Sequence, residues 1–240
     1  MSQKNFLLAL FLLVSSAGVV SAQTRPADEA AAIVIARGNR SFAQEDYQAA
    51  LREYASVQTS AGEIYAQALY NMGVSYYELW RTREAIDSYR RAIRARDGHY
   101  PRAWYALGVA LEDQGQFAEA KEAYQQSILE SRGEYSVAHY RLGLLVAGEG
   151  EYRTAAESFR NALKHPGLHV PASHNNLGVM LARLGSLKDA KLEFEKALRQ
   201  SGGGLEEAAH NLKLCRSLLT ATSSKQVAAF RVSEVPAGLN

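Results

Sequence analysis

Six histidines are the richest raw material for chemistry in this 240-residue chain, and three of them, His165, His169 and His174, fall within ten residues. Imidazoles so close could ligate a metal ion. The four-residue spacing of His165 and His169 would place both on one face of a helix. Pro166, Gly167 and Pro171 interrupt any helix there, so the spacing loses that meaning. The alternative to a metal site is a set of solvent-facing loop histidines. Glu112 and Asp113 are a second candidate, as a pair of carboxylates for acid–base work. Neighbouring residues at the end of a helix point to adjacent faces and cannot converge on one substrate atom. Cys215 is the only cysteine, so no internal disulfide can form, and on an apolar helix it reads as a buried, inert thiol rather than a nucleophile. The chain contains no Ser-x-x-Lys, Gly-x-Ser-x-Gly, Gly-Lys-Ser/Thr or His-Glu-x-x-His motif. These absences lead to the expectation of a protein that is not an enzyme and uses no metal or other cofactor.

The first twenty-two residues have the order of an export signal. Lys4 supplies the positive start, Phe6 to Val14 an apolar run, and Val20-Ser21-Ala22 a small-residue cleavage site. The apolar stretch to Val20 is fifteen residues interrupted by Ser15, Ser16 and Gly18, short of the roughly 20 that a spanning helix needs. Release after cleavage, without stable membrane insertion, is therefore expected, in a periplasm or by secretion. Cleavage after Ala22 leaves 218 residues, enough for one elongated domain or two small ones. With 27 basic and 25 acidic side chains the chain exerts no long-range pull on nucleic acid, and no nucleic-acid partner is expected. One segment departs from this balance: Arg81 to Arg102 holds seven arginines against Glu84, Asp87 and Asp97. It reads either as a patch for an anionic partner or as a solvated helix face with Asp87 and Arg91 paired at i, i+4.

What could position any of these residues is a repeat. Gly38, Gly73, Gly108, Gly143 and Gly178 follow one another at steps of thirty-five. Twelve residues after each comes Ala50, Ala85, Ala120, Ala155 or Ala190, and four later Tyr54, Tyr89, Tyr124, Phe159 or Phe194. Trp104, Leu107 and Leu111 lie at i, i+3 and i+7, one face of a helix. Gly115, Gly150 and Gly185 stand where that helix must end and turn. The pattern predicts pairs of antiparallel helices, in which glycine and alanine permit close approach and the aromatic fills the wedge. At the corners of the first two units Glu45 and Trp80 stand where the later units have glycine. Residues 205–219 keep the apolar spacing and the Asn211-Leu212 pair but have no second helix, as a terminal cap would. The triple glycine 202–204 reads as a flexible joint and residues 221–240 as a loose tail.

The string Trp104-x-x-Leu107-Gly108, with Ala120, Tyr124 and Pro101, resembles a tetratricopeptide repeat, and the resemblance extends over roughly residues 31 to 200 as five units. The period of thirty-five against the family's usual thirty-four suggests one extra loop residue between units. Val34, Leu69, His139 and His174 stand where Trp104 does. The resemblance implies an all-α, right-handed superhelical solenoid of five repeats, and with the readings above the chain divides into export signal 1–22, repeats 23–200, capping helix 201–220 and flexible tail 221–240.

The resemblance also implies a concave face lined by the first helix of each unit, and with it a protein or peptide partner. Its positions there are Asn39, Tyr70, Asn71, Tyr77, Arg102, Tyr105, Tyr140, Arg141, Asn175 and Asn176. Tyr70, Tyr105 and Tyr140 should form a ladder of rings with Asn and Arg between, a surface suited to an extended peptide. Asn39, Asn71 and Arg102 match three positions of the family's carboxylate clamp, but Ile35 and Ala106 stand where two further basic residues are needed. The expected function is capture of a segment of an envelope protein on this face. The alternatives are a scaffold acting through edges or the convex side, or an accessory subunit recruiting a cell-wall enzyme.

Overall fold

The computed structural model describes residues 26–220 and 230–235. The expected export signal lies outside the described residues, as do 221–229 and 236–240. Ten helices pair off in chain order: α1 (Pro26–Ala43) with α2 (Tyr47–Ala55), α3 (Glu63–Glu78) with α4 (Thr82–Arg94), and α5 (Pro101–Asp113) with α6 (Phe117–Glu130). The series continues as α7 (Ser136–Gly148) with α8 (Tyr152–Ala162) and α9 (Val170–Arg183) with α10 (Leu187–Gln200). The eleventh, α11 (Glu206–Thr220), packs on α9 and α10 and covers the last unit as the cap. Each helix packs on its chain neighbours, giving an all-α repeat solenoid.

The thirty-five-residue glycines explain how the two helices of a unit come together. A Cβ at Gly38, Gly73, Gly108, Gly143 or Gly178 would lie 2.3, 2.4, 2.6, 2.8 or 2.6 Å from the ring of Tyr54, Tyr89, Tyr124, Phe159 or Phe194 respectively. The aromatic sixteen residues on therefore packs directly against the bare backbone of its own unit. Every one of these rings is almost wholly buried. Ala50, Ala85, Ala120, Ala155 and Ala190 are likewise sealed from solvent.

The corners within units share one backbone. Gly115, Gly150 and Gly185 have φ of 72°, 83° and 87°, and Glu45 and Trp80 adopt the same left-handed turn at 61° and 59°. In all five the next amide reaches back to a helix carbonyl, from Asp46 N–H to Ser41 at 3.0 Å through Ser186 N–H to Leu181 at 2.8 Å. This is the Schellman closure of a helix end. The first two corners are thus as regular as the others, but they hold a side chain where glycine would be unstrained. A second turn recurs between units as two successive left-handed residues, Asp97-Gly98, Arg132-Gly133 and Gly202-Gly203. Gly203 N–H bonds the Leu198 carbonyl at 2.8 Å, as Gly133 N–H bonds that of Ile128. The triple glycine, read from the sequence as a joint, thus forms the same hydrogen-bonded turn as Asp97-Gly98 and Arg132-Gly133.

The position of Trp104 is structural. Its indole N–H donates to the Gly98 carbonyl at 2.8 Å, and His139 bonds the equivalent backbone at Gly133. His174 turns instead to the Glu193 carboxylate at 2.7 Å.

Candidate peptide-binding groove

Odd-numbered helices also touch one another, α1 with α3, α3 with α5, and α9 with α11, and so they line a common inner face. Over α7, α9 and α11 this face is filled by residues 230–235 of the same chain, without regular secondary structure. Asn211 Oδ1 accepts from Arg231 N–H at 2.8 Å while its Nδ2 donates to the Arg231 carbonyl at 2.7 Å. One unit earlier Asn176 does the same to Ser233, accepting from its N–H at 2.6 Å and donating to its carbonyl at 2.7 Å. These asparagines are equivalent residues thirty-five apart. The repeat therefore sets two equivalent readers against alternate residues of the segment. Asn175 Nδ2 lies 2.9 Å from both the Arg231 carbonyl and Ser233 Oγ, and its Oδ1 accepts from Asn211. Tyr140 completes the grip by donating its hydroxyl to the Ser233 carbonyl at 2.7 Å. Burial pushes that hydroxyl up to about 12, so it remains a donor at all ordinary pH. Phe230 stacks on Phe194 with centroids 5.7 Å apart and an interplanar angle of 18°. The segment runs from α11 toward α7, opposite to the order of the repeats.

Toward the N-terminus the face changes character. At the register of Asn176, one unit earlier, stands Arg141, ion-paired with Glu112 at 2.9 Å, the two side chains only 12% and 18% exposed. Glu112 also accepts from the Tyr124 hydroxyl at 2.8 Å, and Tyr77 donates to Asp113. Beyond this divide lies an open pocket of about 150 Å³ lined by Asn39, Phe42, Tyr54, Tyr70, Asn71, Val74 and Arg102. Asn39 Oδ1 accepts from the Tyr54 hydroxyl at 2.7 Å and from Asn71 Nδ2 at 3.1 Å. Arg102 lies over the Tyr70 ring, 5.2 Å from its centroid.

A family model described as tetratricopeptide repeat matches residues 35–98, 70–136 and 140–204, most of the chain. The chain belongs to the tetratricopeptide-repeat family. Among solved structures it is similar to MamA, with 25% identity and a TM-score of 0.60 over 69% of this chain and 94% of that one. It is also similar to MamA (residue 41 to the end) of Desulfovibrio magneticus RS-1, at 19% identity and TM-score 0.57 over 76% and 99%. A third is YrrB, a tetratricopeptide-repeat protein with an unusual peptide-binding site, at 22% identity and TM-score 0.60 over 79% and 99%. No curated protein matches by sequence. Proteins of this family are generally non-catalytic protein–protein interaction modules, and the fold of this tetratricopeptide-repeat chain suits protein or peptide binding. No helix among the described residues is long and apolar enough to cross a membrane.

Of the concave positions expected from the repeat, the structure brings Tyr140, Asn175 and Asn176 together on one bound segment, and Asn39, Tyr70, Asn71 and Arg102 around the open pocket. The ladder of tyrosines is not a contact surface. Tyr70, Tyr105 and Tyr140 are 4%, 3% and 2% exposed, because each ring is wedged between neighbours such as Tyr89 and Tyr100, Tyr124 and Tyr135, or Phe159 and His169. Only the hydroxyl of Tyr140 and one edge of the pocket at Tyr70 reach the groove. Arg141 and Tyr77 are spent on Glu112 and Asp113. His169 is not a solvent-facing loop histidine: it is buried, with Nε2 2.9 Å from the Ala162 carbonyl. No metal-binding group of His, Cys, Asp and Glu exists among the described residues. Cys215 is buried, with its thiol pushed up by that burial and donating to the Leu187 carbonyl. The basic face is partly neutralised by Arg81–Glu84, Arg90–Glu119 and Arg96–Glu63, while Arg91 reaches the Tyr65 hydroxyl in place of Asp87. Sequence reasoning missed Asn211 and the segment 230–235, which it left in a loose tail. The signals were present: Asn211 is Asn176 plus one period, and Phe230, Val232 and Val235 are strand-forming residues in an otherwise helical chain.

Proposed function

We propose that this chain is an exported, non-catalytic interaction module, periplasmic or secreted, that holds an extended segment of another envelope protein along its concave face. The observation that carries this reading is the pair of equivalent asparagines, Asn176 and Asn211, each bonding both the N–H and the carbonyl of a single residue. A carboxamide that reads backbone asks for extended conformation before it asks for sequence, which suits a peptide receptor. In the open half, Asn39 and Asn71 offer the same group and Arg102 a fixed charge for a carboxylate or a polar side chain.

Assembly through edges is the second reading, favoured by Trp80 and Leu168, each 92% exposed on the outside of turns. The two readings separate in a pull-down from an envelope extract. Replacing Asn39, Asn71, Asn176 and Asn211 by alanine should abolish capture while Trp80→Ala leaves it intact. The reverse pattern would sink the groove reading and support assembly through the corners.

A further inference from the structure

We infer that residues 230–235 are a built-in competitor that closes the C-terminal half of the groove until a partner segment of the same pattern displaces them. The inference rests on the reading of the groove as a receptor for extended segments, and it adds the recognition pattern and the regulation. Asn175, Asn176 and Asn211 are wholly buried, and it is the tail that covers their amide groups. A tail that merely drifted over a surface would not satisfy both backbone groups of two alternate residues. The occupant is also selected by side chain. Phe230 and Ser233 are 5% and 2% exposed, Val232 and Val235 pack partly against the core, and Arg231 and Glu234 face solvent. Phe194, which carries the Phe230 ring, is the same aromatic that closes the last unit. Ser233 presents a small hydroxyl to Asn175 where a larger side chain would strike α9. The groove thus specifies an aromatic residue, a β-branched residue two places on, and a small hydroxyl residue immediately after it. A partner segment with that order fits the same contacts, and the tail reduces its apparent affinity by the fraction of molecules in which the groove is closed.

The test uses the full chain and a fluorescent peptide of residues 228–237, Ala-Ala-Phe-Arg-Val-Ser-Glu-Val-Pro-Ala, followed by anisotropy. Ser233→Pro removes the N–H that Asn176 accepts and should open the groove without touching a repeat, with Phe230→Asp as an independent way to release the tail. The peptide should bind both variants roughly tenfold or more tighter than the wild type. Adding Asn176→Ala to the Ser233→Pro chain should abolish that gain, and a peptide with Phe and Ser exchanged should not bind. Equal, Asn176-dependent binding to wild type and variants would overturn the competitor and leave the receptor reading standing. No binding to the opened chain, or binding indifferent to Asn176, would overturn both. A wild-type chain that dimerises, and becomes monomeric with Ser233→Pro, would show the tail seated in a second copy and overturn closure within one molecule.

Discussion

The two halves of the inner face are made from the same repeat and differ in what they have done with it. Over α9 and α11 the register position one residue before Leu177 and Leu212 is asparagine, and the groove there holds residues 230–235 by their backbone. Over α5 and α7 the same position is Ala106 and Arg141, and no backbone reader exists. At α3 it is Asn71, beside an open pocket. One register position, occupied by Ala36, Asn71, Ala106, Arg141 and Asn176 through the five first helices and by Asn211 in the cap, therefore decides where a segment can be gripped. The lesson is that the packing residues of such a solenoid repeat faithfully while its function is written in the position that does not.

The comparison breaks most severely at the divide. Glu112 and Arg141 are largely buried, and the Glu112 carboxylate, with the Tyr124 hydroxyl accepting from Arg141 Nε at 3.4 Å, compensates the guanidinium for the burial that opposes its charge. Glu112→Ala would strand that charge and should cost about 3 kcal/mol. Chemical denaturation would measure the loss, and a change under about 0.5 kcal/mol would mean that water reaches Arg141 freely. A second substitution strikes the shared framework. Gly143→Ala forces a methyl to within 2.8 Å of the Phe159 ring, beside the Tyr140 that serves the bound segment. We expect a loss of about 2 kcal/mol, seen in the thermal midpoint.

A smaller effect, of opposite sign, distinguishes the halves by their corners. Glycine stands at three left-handed corners of the C-terminal units, whereas Glu45 and Trp80 hold the same backbone in the N-terminal ones. Trp80 is almost fully exposed, so its ring contributes little packing to offset the strain. Trp80→Gly should stabilise the chain by about 1 kcal/mol. A destabilisation would show that the Trp80 side chain is held by contacts that outweigh its backbone conformation.

How much of this was legible follows the same division. The helix pairs, the cap and the close Gly–aromatic contacts follow from residue types recurring at a fixed period, because packing needs the same small and large side chains in every unit. The site was half legible. Asn175 and Asn176 could be placed on the inner face, but the period could not say whether Tyr105 would point into the groove or between units. A ring can do either from the same helix position, and the neighbouring Tyr124 and Tyr135 decide it. The seat of the tail was harder to read for a different reason. Its contacts join residues from twenty apart, as Asn211 and Arg231, to ninety-three apart, as Tyr140 and Ser233; the period marks Asn211 and the composition marks Phe230, Val232 and Val235, but neither says that the one seats the other.

The last and smallest effect concerns the buried histidine that stands in for Trp104 in the fourth unit. His139 in α7 is buried, and burial lowers its pKa despite the bond to Gly133, with Lys164 and His165 adding to the depression. The folded chain therefore resists a proton that the unfolded chain takes up near pH 6.5. Stability falls as pH drops below that value, and the loss from this group ends once pH has passed the lowered folded pKa. His139→Trp installs the indole that at Trp104 already donates to the equivalent glycine carbonyl. The variant should lose less stability than the wild type between pH 7 and pH 5, measured by denaturation at each pH. Because α7 carries both His139 and Tyr140, protection of the Arg231 and Ser233 amides from hydrogen exchange should follow the same pH dependence if the two halves of that helix act as one body. Protection that stays constant while global stability falls would show that the occupied groove is held by α9 and α11 alone.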